Sequence, residues 1–160
     1  MIIIEMNILQ KRAKINNLAM NKLKCNLCPV KELFLDQLSI VNYRNLKGID
    51  FSLDRNINCF VGDNGVGKTN ALDAIYFLAM GKSYSNSVTS QNISHQADFS
   101  IIEGVFNKSG KSLQIQCHFE RKGKKTIKRN RKAYKKIADH VGIIPVVIIS
   151  PTDRDLISEG

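Results

Sequence analysis

Gly62, Asp63, Asn64, Gly65, Val66, Gly67, Lys68 and Thr69 constrain this chain more than any other segment, because Gly62 and Gly67 bracket four residues directly ahead of Lys-Thr. That spacing is the sequence pattern of a loop that wraps phosphate groups. Glycines allow successive backbone N–H groups to turn inward with no Cβ in the way, which a compact polyanion requires. Lys68 is placed to reach the β and γ phosphates, the Thr69 hydroxyl to ligate Mg²⁺, and the following helix start to add its partial positive charge. A nucleoside triphosphate with Mg²⁺ is the implied ligand.

Such a loop must leave a buried strand and enter a helix. The apolar run 57–61 predicts the strand, and Ala71, Leu72, Ala74, Ile75, Leu78 and Ala79 recur at helical spacing until Gly81 ends the helix. The expected fold class is therefore α/β: a P-loop NTPase with a mixed sheet around one phosphate loop and an antiparallel subregion beside it. Strands are predicted over 33–43, 49–53, 101–106 and 113–119, with turns at 44–48 and 107–111. Residues 82–94 are rich in Ser and Asn and predict a surface loop, and 133–141 a short helix. The aliphatic run 143–149 predicts a second buried strand, followed by a helix start in which Ser150 caps, Pro151 takes the first position and Asp153 answers Ser150. Ser150 and Pro151 stand where the carboxylates of a second ATPase motif belong, and no other strand ends in an Asp-Glu pair.

Charge is uneven. Residues 108–136 hold twelve lysines and arginines against the single acid Glu120, within a chain of formal net charge +10. A polyanion fits this stretch, centred on a basic hairpin region at about 101–132, with Lys122, Lys124, Lys125, Lys128, Arg129, Arg131 and Lys132 as the candidate contacts. Solvated hairpin tips that blunt edge strands are the competing explanation. With Phe119 and Tyr134 the only rings nearby, a nucleic acid here would be met through its phosphates rather than by base readout.

No stretch approaches the roughly 20 apolar residues of a membrane span, and residues 1–6 are too short for a signal-peptide core, so a cytoplasmic protein is expected. One Cys-x-x-Cys pair, Cys25 and Cys28, lacks a second pair, which argues against zinc; Cys59 is expected to be a buried thiol. Residues 1–28 show no steady period and read as poorly ordered. The domain division is accordingly an N-terminal extension over 1–30, whose native start would be Val30, and one ATPase part over 31–160.

Ser39-Ile40-Val41-Asn42-Tyr43-Arg44-Asn45, the phosphate loop, Ala74-Ile75-Tyr76 and 146–151 together resemble the start of the bacterial RecF family, in order and spacing from about Lys31 to Gly160. That family resembles SMC-type ATPase heads of the ABC class, which clamp two ATP molecules between two subunits. The resemblance implies an ATP-dependent homodimer on DNA that acts at single-strand gaps and single-strand to double-strand junctions with RecR and RecO. It also implies support of RecA loading, replication recovery and the SOS response. Carried onto this chain it assigns residues 62–69 and Asn70 to the nucleotide, Arg44 and Asn45 to its neighbourhood, and 150–155 to γ-phosphate sensing, although Thr152 stands where the family has an acid. Asn130-Arg131 replaces the family's Asn-Gly, so that turn is expected to be longer or more strained. The family's signature motif, second carboxylate motif, switch histidine and helical lid would lie beyond Gly160, and hydrolysis by this chain alone is expected to be negligible. A small phosphotransferase using the same loop and an inactive DNA-binding fragment are the alternatives.

Overall fold

The computed structural model describes residues 2–5 and 33–150. Alternation of inward apolar and outward polar residues builds a six-stranded antiparallel sheet in the order β3-β2-β4-β5-β6-β7, from β2 (Leu33–Tyr43), β3 (Leu46–Ser52), β4 (Phe99–Lys108), β5 (Lys111–Glu120), β6 (Lys125–Arg129) and β7 (Lys132–Ala133). The helix α1 (Lys68–Met80) lies across one face of β2, β4 and β5. Leu38, Ile40 and Tyr43 of β2, Ile102 and Phe106 of β4, and Ile115, Cys117 and Phe119 of β5 meet Ala74, Phe77 and Leu78 of the helix in one core. Phe77 stacks on Phe119 with ring centroids 4.9 Å apart, and Tyr43 meets both rings edge-on. Each fully buried ring or branched side chain of this kind contributes roughly 1.5–3 kcal/mol.

A second, two-stranded parallel sheet pairs β1 (Ile2–Glu5) with β8 (Val146–Ile149). Strands of both directions are thus present, as expected, but in two sheets rather than one mixed sheet. Within the stretch 1–28, which reads as poorly ordered, Ile2–Glu5 finds strand partners in the aliphatic run of β8. Val30, Cys25 and Cys28 lie outside the described residues, as do Pro151, Thr152, Asp153 and Asp155.

Three expectations are overturned. Residues 57–61 form no strand: Ile57 is 70% and Val61 90% exposed, and Cys59 is exposed as well. A buried strand borrows its burial from strands on either side, and none of the described strands lies alongside this run. Residues 133–141 form no helix beyond a single 3-10 turn, Ile137–Asp139, because Ala133 is drawn into β7 opposite Lys128 and the Tyr134 N–H continues that ladder to Ile127 O. Residues 143–149 are not buried on both faces: Ile144 is buried, but Val147 and Ile149 face outward from β8.

The turns are tighter than the sequence suggested. Strands β2 and β3 run until Tyr43 faces Leu46, leaving only Arg44 and Asn45 between them. Strands β4 and β5 meet at Ser109-Gly110, both with positive φ. Asn130 and Arg131 form a two-residue turn, not a longer one, with φ of 47° and 69°; strain falls on two non-glycine residues, and the Asn130 side chain offsets it by accepting from the Gln114 N–H.

Candidate nucleotide site at the amino end of the helix

Helix α1 begins at Lys68, directly after the loop, and Gly67 precedes it with φ 106°. Only glycine fits there, because a Cβ at this position would lie 2.5 Å from Leu46 Cδ2 and 2.9 Å from Asn45 Oδ1. No side chain caps this helix and no acidic residue stands in its first turn. The first-turn N–H groups and the positive end of the helix dipole are therefore left for an external anion.

Lys68 folds back over the loop and donates from Nζ to the carbonyls of Gly62 and Asp63, each at 2.7 Å. Those two carbonyls are thereby turned toward the ammonium, and the same Nζ stands over the mouth of the loop. Thr69 is exposed on the first turn. Its hydroxyl is a hard oxygen ligand that suits Mg²⁺, an ion that keeps several waters and takes the rest of its shell from phosphate oxygens. Asp63, Asn64, Gly65 and Val66 line the exposed rim.

The structure brings Asn45 and Asn70 onto this loop. Asn45 Nδ2 donates to Gly65 O at 2.7 Å, and Asn70 Nδ2 donates to Asn45 Oδ1 at 2.7 Å. Arg44 lies one step behind. Its guanidinium donates to Asn70 Oδ1 (3.0 Å), to Asn92 Oδ1 (3.0 and 2.9 Å), to Ser83 Oγ (2.9 Å) and to Ser85 Oγ (2.8 Å), and pairs with Asp73 Oδ2 at 2.8 Å.

Asp73 is the residue that sequence reading missed. It is buried on α1, where it accepts from the Tyr43 hydroxyl (2.6 Å), the Ser83 hydroxyl and the Tyr84 N–H (2.8 Å). Burial and the adjacent Asp73 charge raise the Tyr43 phenol far above its ordinary range, so it stays a proton donor. A carboxylate among Ala71, Leu72, Ala74 and Ile75, on the face turned to the core, was the available signal. Residues 82–94 are correspondingly more than a surface loop. Ser83, Asn92 and Ser94 are buried, and the segment wraps Arg44, with Asn92 O accepting from the Arg44 N–H and the Ser94 hydroxyl donating to Arg44 O.

Of the basic candidates, Lys125 lies at the other end of α1. Lys125, half-buried, donates from Nζ to Gly81 O at 2.7 Å with its ammonium over the Phe77 ring, and so caps the helix. Lys122, Lys124, Arg129, Arg131 and Lys132 are exposed; Lys128 is half-buried, lining a shallow recess with Arg131, Gln114 and Gln116. Strand alternation puts Lys128 on the opposite face from Lys125 and Ile127. The structure thus does not gather all seven on one surface. Arg121, part of the same charge run, donates to the carbonyls of Ser94 and Ala97 and holds loop ends together.

Residues 37–156 match the model of the AAA domain, three quarters of the chain. The chain belongs to the AAA-domain family. Within this family it is similar to the DNA replication and repair protein RecF of Flavobacterium johnsoniae, at 53% identity over 128 residues that cover 80% of the chain and 36% of that protein. It is likewise similar to RecF of Bacteroides fragilis, at 45% identity over 129 residues. The chain spans about a third of the length of these curated relatives, corresponding to their amino-terminal part. Among solved structures, the recombination mediator protein RecF with ATP, from the RecFOR pathway, superposes with a TM-score of 0.73 at 29% identity, covering 81% of this chain and 36% of that one. An SMC ATPase structure, described for ATP-driven dimerisation and DNA-stimulated activation, superposes at 0.61 with 20% identity, covering 79% of this chain and 98% of that one; it shares the fold.

Proposed function

We propose that this chain is the nucleotide-binding, amino-terminal part of a RecF-type DNA replication and repair ATPase. The observation that carries this is the uncapped start of α1, with Lys68 above a loop whose Gly65 carbonyl is held by Asn45. In this reading residues 62–69 and Asn70 bind the phosphates of ATP, and Thr69 holds Mg²⁺. When bound, Mg²⁺ would neutralise phosphate charge. Lys68 would exchange its bonds to Gly62 O and Asp63 O for phosphate oxygens, while Asn45 holds the Gly65 carbonyl.

The same family likeness supports a role at single-strand gaps and single-strand to double-strand junctions, with RecR and RecO as partners and with RecA loading and the SOS response downstream. ATP-dependent pairing of two copies and a cytoplasmic location belong to this reading as well. Among the described residues no helix is long and apolar enough to cross a membrane. Exposed Lys122, Lys124, Arg129, Arg131 and Lys132, with Lys128, would meet DNA phosphates, giving salt-dependent binding with little sequence preference. Transfer of the γ phosphoryl would need, besides this loop, a carboxylate to orient water and a partner's groups to stabilise the transition state.

Titration calorimetry with Mg-ATP tests the reading. Binding to the wild-type chain that disappears in Lys68→Ala is the expected result, and equal heats for both proteins would refute it.

A further inference from the structure

The geometry points to Asp73 as a positioning residue of the nucleotide site, one that orients the phosphate loop through Arg44, Asn70 and Asn45 without touching it. This rests on the reading of residues 62–69 as a nucleotide site. A continuous path of bonds leads from the buried carboxylate to the loop: Asp73 Oδ2 to Arg44 Nη2 at 2.8 Å, Arg44 Nη1 to Asn70 Oδ1 at 3.0 Å, Asn70 Nδ2 to Asn45 Oδ1 at 2.7 Å, and Asn45 Nδ2 to Gly65 O at 2.7 Å.

The path has a direction, and the direction follows from chemistry. A guanidinium has donors and no acceptor, so Arg44 fixes the oxygen of the Asn70 amide toward itself. The Asn70 nitrogen must then face Asn45, whose oxygen turns to meet it. That leaves the Asn45 nitrogen aimed at the loop, where it holds the Gly65 carbonyl. Reversing either amide would set N–H against N–H. The positive charge of Arg44 thus decides the orientation of two asparagines and presents a donor, not an acceptor, to the loop.

Asp73 is what fixes Arg44. It is the one carboxylate paired with this guanidinium among the described residues, and its own remaining bonds to Tyr43, Ser83 and the Tyr84 N–H anchor it to β2 and to the segment after α1. Asn92, Ser83 and Ser85 also accept from Arg44, but as neutral groups on a connecting segment. Removing the carboxylate charge would leave those bonds in place and release the strongest, charge-assisted one.

The test uses the full chain with Asp73→Asn, Asn70→Ala, Asn45→Ala and the Asp73→Asn/Asn45→Ala pair. In the absence of nucleotide, ¹⁵N order parameters of the Gly62, Gly65 and Gly67 amides are expected to fall from ~0.85 toward ~0.6 in each variant, with α1 unchanged. Mg-ATP affinity is expected to drop about ten-fold in each single variant, and the pair is expected to lose no more than Asn45→Ala alone. A loop that stays rigid in Asp73→Asn and Asn70→Ala overturns the proposal, and so does an Asp73→Asn loss that adds in full to that of Asn45→Ala. Should Asp73→Asn fail to fold, Asn70→Ala breaks the same path without disturbing the buried carboxylate, and its loop rigidity alone then upholds or overturns the proposal. Absence of Mg-ATP binding in the wild type would remove the nucleotide reading, whereas the relaxation measurement would still decide whether Asp73 sets the loop.

Discussion

The two ends of α1 are built to opposite rules. At the carboxyl end the groups that a helix leaves open are met: Gly81 closes the helix in the left-handed conformation and returns its N–H to Phe77 O, Lys125 donates to Gly81 O, and His140 Nε2 donates to Leu78 O at 2.6 Å. At the amino end no side chain caps the helix, and the polar groups nearby are spent on holding the loop's carbonyls instead. The difference separates stability from binding along a single element. Thirteen residues, or roughly 18 Å of helix, lie between a closed end that anchors the core and an open end that can take an anion.

Substitutions at each end should therefore fail differently. Phe77→Ala, which removes a fully buried ring stacked on Phe119, is expected to cost about 3–5 kcal/mol in urea unfolding while leaving the phosphate loop of the folded fraction intact. Gly67→Ala works on the other end. Forcing a Cβ into a φ of 106° against Leu46 and Asn45 should cost about 1–3 kcal/mol and abolish Mg-ATP binding outright in calorimetry.

Acid should act at the closed end. Burial lowers the pKa of His140, and its neutral Nδ1 is buried with no hydrogen-bond partner. With the folded pKa below the unfolded value near 6.5, the unfolded chain takes up the proton first, so stability is complete above about pH 6.5 and falls as pH drops through that value. His140→Gln, which keeps a donor for Leu78 O and cannot titrate, is expected to flatten this dependence when unfolding is followed from pH 7.5 to 5. The smallest effect belongs to Lys125→Met. The aliphatic stem is preserved while the charged cap on Gly81 O and the ammonium over the Phe77 ring are lost, an expected loss of about 0.3–1 kcal/mol, with DNA affinity in a filter-binding assay unchanged because this ammonium is held on the helix end.

Legibility in the sequence followed the same division. Strand β5 and helix α1 could be read because their apolar residues repeat with the period of the element itself: Leu113, Ile115, Cys117 and Phe119 meet the core from one, Ala74, Phe77 and Leu78 from the other. The run 57–61 misled because its aliphatic content speaks of burial only when neighbouring strands exist, and Ile57 and Val61 find none among the described residues. The phosphate loop was legible as a motif of contiguous residues. Its support was not, since Arg44, Asp73, Ser83 and Asn92 come from β2's end, the helix and the segment after it, and only the fold makes them neighbours. Lys125 shows the converse. Composition placed it with the basic candidates, and the register of β6 on β5 brings its ammonium onto the helix end.

The contrast between the ends can be measured in one titration. Adding Mg-ATP to ¹⁵N-labelled chain should shift the amides of Gly65, Gly67, Lys68 and Thr69 in a saturable manner and leave those of Met80 and Gly81 in place. Shifts absent from residues 62–69, or spread equally to the carboxyl end of α1, would contradict the account.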